Sequence, residues 1–150
     1  MEISYYEMSY DDIPKVAEME QHYFSIPWSE AGIGHYMDAG NTLFLTAKKS
    51  PSPEDMVGYL AIMCILDEGE LVSIAVDEEL RGMGIASELL DIAYDMCRER
   101  GVNRIHLEVR ESNTAAINLY EKEGFIRDGR RKGFYAKPAE DALLYTKELV

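Results

Sequence analysis

The sequence predicts a mixed α/β fold in which a central sheet is covered by helices. Three observations predict it. Short apolar runs with strand character recur at 43–47, 56–66, 71–76 and 104–109. A long amphipathic helix follows a glycine turn, with Ile85, Ala86, Leu89, Leu90, Ala93, Met96 and Cys97 on one side and Glu88, Asp91, Asp95 and Arg98 on the other. Strand and helix signals also interleave along the chain instead of segregating, which is the pattern of helices packed on a sheet. At 150 residues the chain is long enough for a sizeable core, and 1–150 reads as a single domain.

Each element has a local reason. Residues 2–8 alternate weakly and predict a first strand. Asp11 and Asp12 can cap a helix over 13–23, with Pro14 tolerated in its first turn. Ile13, Val16, Ala17 and the Met19-Glu20 step give that helix a partial apolar face. Pro27-Trp28-Ser29 interrupts the pattern, and Ser29 can cap a second helix to Ala39. Strands at 43–47 and 56–66 pair across a long hairpin loop, Lys48-Lys49-Ser50-Pro51-Ser52-Pro53-Glu54-Asp55, whose prolines, serines and charges suit no regular element. Asp67-Glu68-Gly69-Glu70 reads as a turn into the strand 71–76. Gly101 ends the long helix. In 104–109, Ile105, Leu107 and Val109 point one way and Arg104, His106 and Glu108 the other. Asn113 caps a helix carrying Ala116, Ile117, Leu119 and Tyr120, and Gly124 ends it. Phe125-Ile126 begins a further strand, and 142–149 forms the last. The predicted order is β-α-α-β-β-β-α-β-α-β-β, with strand order in the sheet left open.

Composition narrows the functional classes. The apolar fraction is 47% and no apolar run approaches the length of a bilayer span. Met1-Glu2-Ile3-Ser4-Tyr5 lacks a basic region and an apolar signal core, so a cytoplasmic location is expected. Cys64 and Cys97 lie in apolar segments and are expected to be buried free thiols. Net charge is −13, which argues against a generic nucleic-acid binder and against anionic membranes. It suits a cationic partner such as an amine or a basic peptide, although solubility alone accounts for such a charge. His22, His35 and His106 lack metal-ligand spacing, so no metal is expected. Arg127, Arg130, Arg131 and Lys132 form the one basic run and read as a solvated turn, with contact to a ligand phosphate as the other reading.

The segment with the most chemistry is Arg81-Gly82-Met83-Gly84-Ile85-Ala86, set between a strand and a helix. The first amides of a helix have no internal partner and carry partial positive charge, so such a junction binds anions. A P-loop requires Gly-Lys-Ser/Thr, and Ile85-Ala86 stands in its place. A dinucleotide fingerprint requires three spaced glycines early in the fold, and only Gly82 and Gly84 are present. A plain tight turn remains the alternative for the glycine pair alone.

Two segments together carry a resemblance. Arg81-x-x-Gly84-x-Ala86, placed after Val72-Ser73-Ile74-Ala75-Val76, resembles the acyl-CoA-binding motif of the GNAT superfamily of N-acetyltransferases. Asn113-x-x-Ala116-x-x-Leu119-Tyr120-x-x-x-Gly124-Phe125 resembles that superfamily's second characteristic segment. More narrowly, Pro27-Trp28-Ser29-Glu30, Leu107-Glu108-Val109-Arg110, Ser112-Asn113, Ala115-Ala116 and Glu140-Asp141-Ala142 are similar to the RimI-type ribosomal-protein alanine N-acetyltransferases. The resemblance is weaker over 31–56 and 127–139, the stretches expected to shape the acceptor site.

What the resemblance implies is a GNAT-type sheet and direct acetyl transfer from acetyl-CoA to an amine, with no covalent enzyme intermediate. It implies Glu108 as general base and Tyr120 as general acid. It implies CoA contacts from Ile74, Ala75 and Val76 through the backbone, from Arg81, Gly82, Met83, Gly84, Ile85, Ala86 and Ser87 around the pyrophosphate, and from Asn113. The residues alone admit plainer readings: a solvated carboxylate at Glu108, a packed ring at Tyr120, a helix cap at Asn113. The expected partners are acetyl-CoA and a basic protein N-terminus of a ribosomal protein, without direct nucleic acid or membrane contact, the chain acting as a monomer or weak dimer. The runner-up functions are acetylation of a small-molecule amine or polyamine, a non-catalytic CoA-binding domain, and a nucleotide-phosphate module. Trp28 and Tyr135 are candidates to line the acceptor cleft, with cover for the core edge as the other reading of Trp28.

Overall fold

The computed structural model describes residues 2–150, so Met1 of the expected leaderless start lies outside it. Seven strands form one sheet in the order β1-β2-β3-β4-β5-β7-β6. In chain order these are β1 (Ser4–Glu7), β2 (Thr42–Lys48), β3 (Met56–Ile65), β4 (Glu68–Val76), β5 (Arg104–Arg110), β6 (Ile126–Ala136) and β7 (Ala139–Glu148). Four helices cover it: α1 (Ile13–Tyr23), α2 (Glu30–Ala39), α3 (Ile85–Glu99) and α4 (Thr114–Lys122). All neighbouring strands are antiparallel except β4 and β5.

Strand alternation builds two apolar layers. Leu43, Leu45, Leu60 and Ile62 face Ile85, Leu89, Leu90, Ala93 and Cys97 of α3. Phe44, Tyr59 and Ala61 face Val16 and Met19 of α1 and Ile33 of α2. Side chains at successive strand positions point to opposite faces, so the central strands are apolar throughout. The seven residues of β2 are all buried, Lys48 among them. Its ammonium is 2.7 Å from the equally buried Asp12 carboxylate, so neither charge lacks a partner.

The starts of α2 and α4 follow their sequence signals; at α1 Asp12 holds the N-cap position, but its side chain makes no capping bond and pairs with Lys48 instead. Ser29 Oγ accepts from Gly32 N at 3.0 Å and Asn113 Oδ1 accepts from Ala116 N at 3.2 Å, each side-chain cap contributing about 1 kcal/mol. Gly40, Gly101 and Gly124 carry positive φ after α2, α3 and α4.

Three expectations are corrected. Glu68–Glu70 is not a turn but the start of β4, and it supplies the whole β4–β5 ladder, Glu68 opposite Arg104 through Glu70 opposite His106. Gly69 serves packing there: a Cβ would lie 3.2 Å from Ile62 Cγ2 and 3.3 Å from Val102 Cγ1. The basic run 127–132 is not a turn but part of β6, an outer strand so exposed that its apolar alternation is lost. Cys97 is buried as expected, whereas Cys64 is only partly covered; both are free.

Candidate active site

The sheet parts in the middle. In the β3–β4 register Ala61 lies opposite Ser73 and Ile62 opposite Leu71, which leaves Val72 as an extra, bulged residue. A bulge bends its strand and increases the local twist. Beyond Glu70 the ladder between β4 and β5 ends, although both strands continue to Val76 and Arg110. The result is a wedge-shaped cleft of about 810 Å³ between the diverging strands. Along it the β5-facing backbone groups of β4 lack a strand partner, an edge available to an extended ligand.

One end of the cleft is the start of α3. Gly84 occupies the N-cap position with φ 83° and no side chain caps the helix, unlike α2 and α4. The first internal bond is Glu88 N to Gly84 O at 3.0 Å, so the amides just before it are available to an external acceptor. Cβ atoms added at Gly82 or Gly84 would meet nothing within 4 Å, and both glycines adopt the left-handed conformation that L side chains avoid. This open, uncapped and helix-polarised rim fits a pyrophosphate. Arg81 is exposed but engaged by the protein: Nε donates to Val76 O at 3.2 Å and the guanidinium lies 5.1 Å from the Tyr23 ring centroid.

The cleft wall collects the residues that the motifs named. Ile74, Ala75 and Val76 line it from β4, Arg81, Gly82, Gly84, Ile85, Ala86 and Ser87 from the turn and α3, and Asn113 from the α4 cap. Met83 is the member of that set that does not line the cleft, and its side chain is exposed. Glu108 and Tyr120 both line the cleft, from β5 and α4. Of the two acceptor-side candidates, Tyr135 lines it and Trp28 does not. Trp28 instead packs on Tyr36, with ring centroids 5.0 Å apart, and on Phe44 at 6.1 Å.

The two candidate reacting groups sit in contrasting surroundings. Partial burial holds the Glu108 carboxyl above the usual carboxylate range; Arg131, 3.9 Å away, opposes that shift and Glu70 adds to it. Burial pushes the Tyr120 phenol well above its ordinary value, with Tyr135 adding to the effect, so it keeps its proton at neutral pH. Buried phenols usually find an acceptor. Tyr59, Tyr94 and Tyr145 donate to Glu20, Glu123 and Glu121, whereas among the described residues the Tyr120 hydroxyl has no such partner.

Three site features escape sequence reasoning. Arg131 reaches Glu108 from β6, out of the basic run read as a solvated turn. Arg110 lies beyond Glu108 on the same face of β5 and lines the cleft. Glu20 is 2% exposed, and its carboxylate accepts from Trp28 N at 2.9 Å, Ser73 Oγ at 2.8 Å and the Tyr59 hydroxyl. It thereby joins α1 to β3, to β4 beside the bulge, and to the loop before α2. Only its place on the inner side of α1 hinted at burial. Among the described residues, no group of three or more His, Cys, Asp or Glu side chains is placed to hold a metal ion, and no helix is long and apolar enough to cross a membrane.

A sheet opened between two parallel strands, with an anion-ready helix start at one rim, suits an extended ligand that carries a phosphate group. The model of the acetyltransferase (GNAT) family matches residues 13–125, and the chain belongs to that family. It is an N-acetyltransferase whose acyl donor is acetyl-CoA. The chain is 36% identical over 140 residues to the [ribosomal protein bS18]-alanine N-acetyltransferase of Salmonella typhimurium, covering 91% of each chain. It superimposes on the crystal structure of the ribosomal-protein-S18-alanine N-acetyltransferase from Escherichia coli with a TM-score of 0.86 and 29% identity, covering 99% of this chain and 94% of that one. It also resembles a chain of the NatC complex bound to Gag peptide and CoA, with a TM-score of 0.85, 27% identity and full coverage of both chains.

Proposed function

We propose that the protein acetylates the α-amino group of the N-terminal alanine of ribosomal protein bS18, in the cytoplasm, with Glu108 as general base and Tyr120 as general acid. The observation that carries the acceptor is the extent of the likeness to bS18-alanine N-acetyltransferases: it spans about nine-tenths of both chains and is not confined to the CoA-binding segments. The net charge of −13 supports a basic acceptor segment.

The roles follow from the chemistry of the cleft. Acetyl-CoA supplies an activated thioester carbonyl. Its pyrophosphate rests on the amides at the start of α3, Arg81 to Ser87, and its extended arm runs along the free edge of β4 at Ile74 to Val76. Asn113 reaches it from the α4 cap. An α-ammonium with pKa ~8 must lose a proton before it can attack. Glu108 takes that proton, directly or through a water, and its raised proton affinity makes it a better base than an exposed carboxylate. An amide of β4 aimed at the carbonyl stabilises the charge that develops on its oxygen. Tyr120, which retains its proton, donates it as the C–S bond breaks, so the thiolate leaves as a thiol.

The test is acetyl transfer from acetyl-CoA to peptides that begin with alanine followed by basic residues, run against a panel of polyamines and small amines. Transfer confined to the peptides, at the α-amine by fragment mass spectrometry, is expected. Turnover of polyamines with none of the peptides would overturn the acceptor assignment while leaving family membership intact.

A further inference from the structure

We propose that Arg110 is a positioning residue that straps the two loops of the acceptor mouth to the end of β5 and so sets affinity for the acceptor, not for acetyl-CoA. This rests on the reading of the protein as a peptide acetyltransferase.

Four of the five guanidinium N–H donors are committed. Nη1 donates to Pro138 O at 2.9 Å and to Glu140 Oε1 at 3.3 Å. Nη2 donates to Lys137 O at 2.9 Å and to Ser25 Oγ at 3.2 Å. These contacts engage both terminal nitrogens of the planar fork, and its face lies 4.2 Å from the Tyr135 ring centroid. Glu140 uses its other oxygen to accept from Ser112 N, which draws the β5–α4 loop into the same knot.

The bond of Trp28 N to Glu20 and the β6–β7 pairing hold each piece separately, and the strap joins the two pieces to each other. The β6–β7 hairpin tip is exposed on both strands, and Ser25 belongs to the connection between α1 and α2. Segments with few buried contacts open at low free-energy cost unless they are tied. Yet Tyr135, Lys137 and Pro138 form one side of the acceptor mouth, and Ser25 and Ile26 belong to the other. Arg110 spans the gap at the far end of the cleft from the start of α3. Carbonyls, a carboxylate and a hydroxyl of the protein hold both terminal nitrogens, four of the five N–H donors, so the effect of Arg110 is exerted through the loops. Lysine offers one point charge with three donors and cannot reproduce the fork.

The test compares wild type with Arg110→Lys and Ser25→Ala, using an alanine-initiated basic peptide and acetyl-CoA. For Arg110→Lys the peptide KM is expected to rise about tenfold or more, as loss of several charge-assisted hydrogen bonds predicts. The KM for acetyl-CoA and kcat are expected to stay within about twofold of wild type. Ser25→Ala should move the peptide KM in the same direction by less, and should add nothing on top of Arg110→Lys, because the strap is already open. Hydrogen exchange provides a readout that needs no acceptor: amides of the 134–140 tip and the 24–28 loop should exchange faster in Arg110→Lys, with α3 unchanged. An unchanged peptide KM with unchanged tip exchange would overturn the proposal. So would a parallel rise in both KM values with a general loss of protection, which is the mark of a merely structural residue. If wild type transfers to no peptide while the tip still loosens in the variant, the acceptor reading has failed and the strap stands. Should Arg110→Lys not fold, Ser25→Ala alone decides, by the same two readouts.

Discussion

Replacing Glu20 with glutamine tests how much of the fold's stability rests on one buried carboxylate. The wild-type group accepts three hydrogen bonds: Trp28 N–H on one oxygen, and the Tyr59 and Ser73 hydroxyls on the other. Glutamine keeps the shape and one acceptor oxygen, which can still serve Trp28. Tyr59 and Ser73 then face an NH₂ group. Their hydroxyls can rotate to accept, but two charge-assisted bonds become neutral ones and their own protons lose an acceptor. Hydrogen bonds to charged groups contribute about 1.5–3 kcal/mol and neutral ones about 0.5–1.5, so two such downgrades cost about 2 kcal/mol in all. For a chain of this length each kcal/mol shifts the melting midpoint by about 2–4 °C, which gives a fall of about 4–8 °C at neutral pH. Glu20→Ala strands all three donors and should fall further, while also freeing Trp28 N and with it the loop before α2. The assay is thermal unfolding followed by circular dichroism, with scanning calorimetry to check two-state behaviour. A Glu20→Gln midpoint within about 1 °C of wild type would refute the reasoning, because it would mean that the charge on Glu20 adds no net stability to its bonds with Tyr59 and Ser73.

The other predictions concern the cleft. Glu108→Gln should lower kcat/KM for an alanine-initiated peptide by about 10²-fold or more with acetyl-CoA affinity retained, and Tyr120→Phe should lower kcat with the same retention; full activity in either variant, measured by thiol release, removes that residue from the chemistry. The proton affinity of Glu108 is raised, so its base form is lost as pH falls through a value above the ordinary carboxylate range, and activity falls on the acid side of that point. Arg131→Ala removes a cation 3.9 Å away that opposes the shift, so the acid limb should move upward. Glu70→Gln removes a charge acting in the other direction and should move the limb downward; shifts of the same sign in both variants would contradict the electrostatic assignment. Gly84→Ala forces an L side chain into the left-handed region at φ 83°, at about 1–2 kcal/mol, and calorimetry should show CoA binding weakened about tenfold with binding of the acceptor peptide unaffected.

What the sequence discloses and what it hides divide along a physical line. Signals that a residue carries by itself are legible. Ser29 and Asn113 are caps because their side chains can reach an amide, Gly84 is a turn because its backbone can take positive φ, and α3 is a helix because its apolar residues recur at helical spacing. Features that depend on how strands are placed against one another are not. The cleft exists because Val72 bulges out of register and because the β4–β5 ladder stops at Glu70, and neither event alters hydrophobic periodicity. The ladder itself hides in Asp67-Glu68-Gly69-Glu70, whose composition favours a turn: Gly69 is there to fit beneath Ile62 and Val102, a packing demand that only the folded sheet reveals. The basic run misleads for a related reason. β6 is an outer strand with little to bury, so no apolar alternation marks it, and four cations in six residues look like a solvated bend. Once the strand is placed, the run separates into distinct jobs, Arg130 pairing with Glu111 and Asp141 while Arg131 reaches Glu108. The residues that mattered most and showed least are therefore the charged ones that the fold takes out of solvent or spends on backbone. Glu20 and Arg110 are types expected on surfaces, and each instead joins segments that are far apart in the chain: Glu20 ties α1 to β3, β4 and the loop before α2, and Arg110 ties β5 to the β6–β7 tip and the α1–α2 connection. Partners so distant in sequence leave no periodic mark, which is why only the folded chain reveals these two roles.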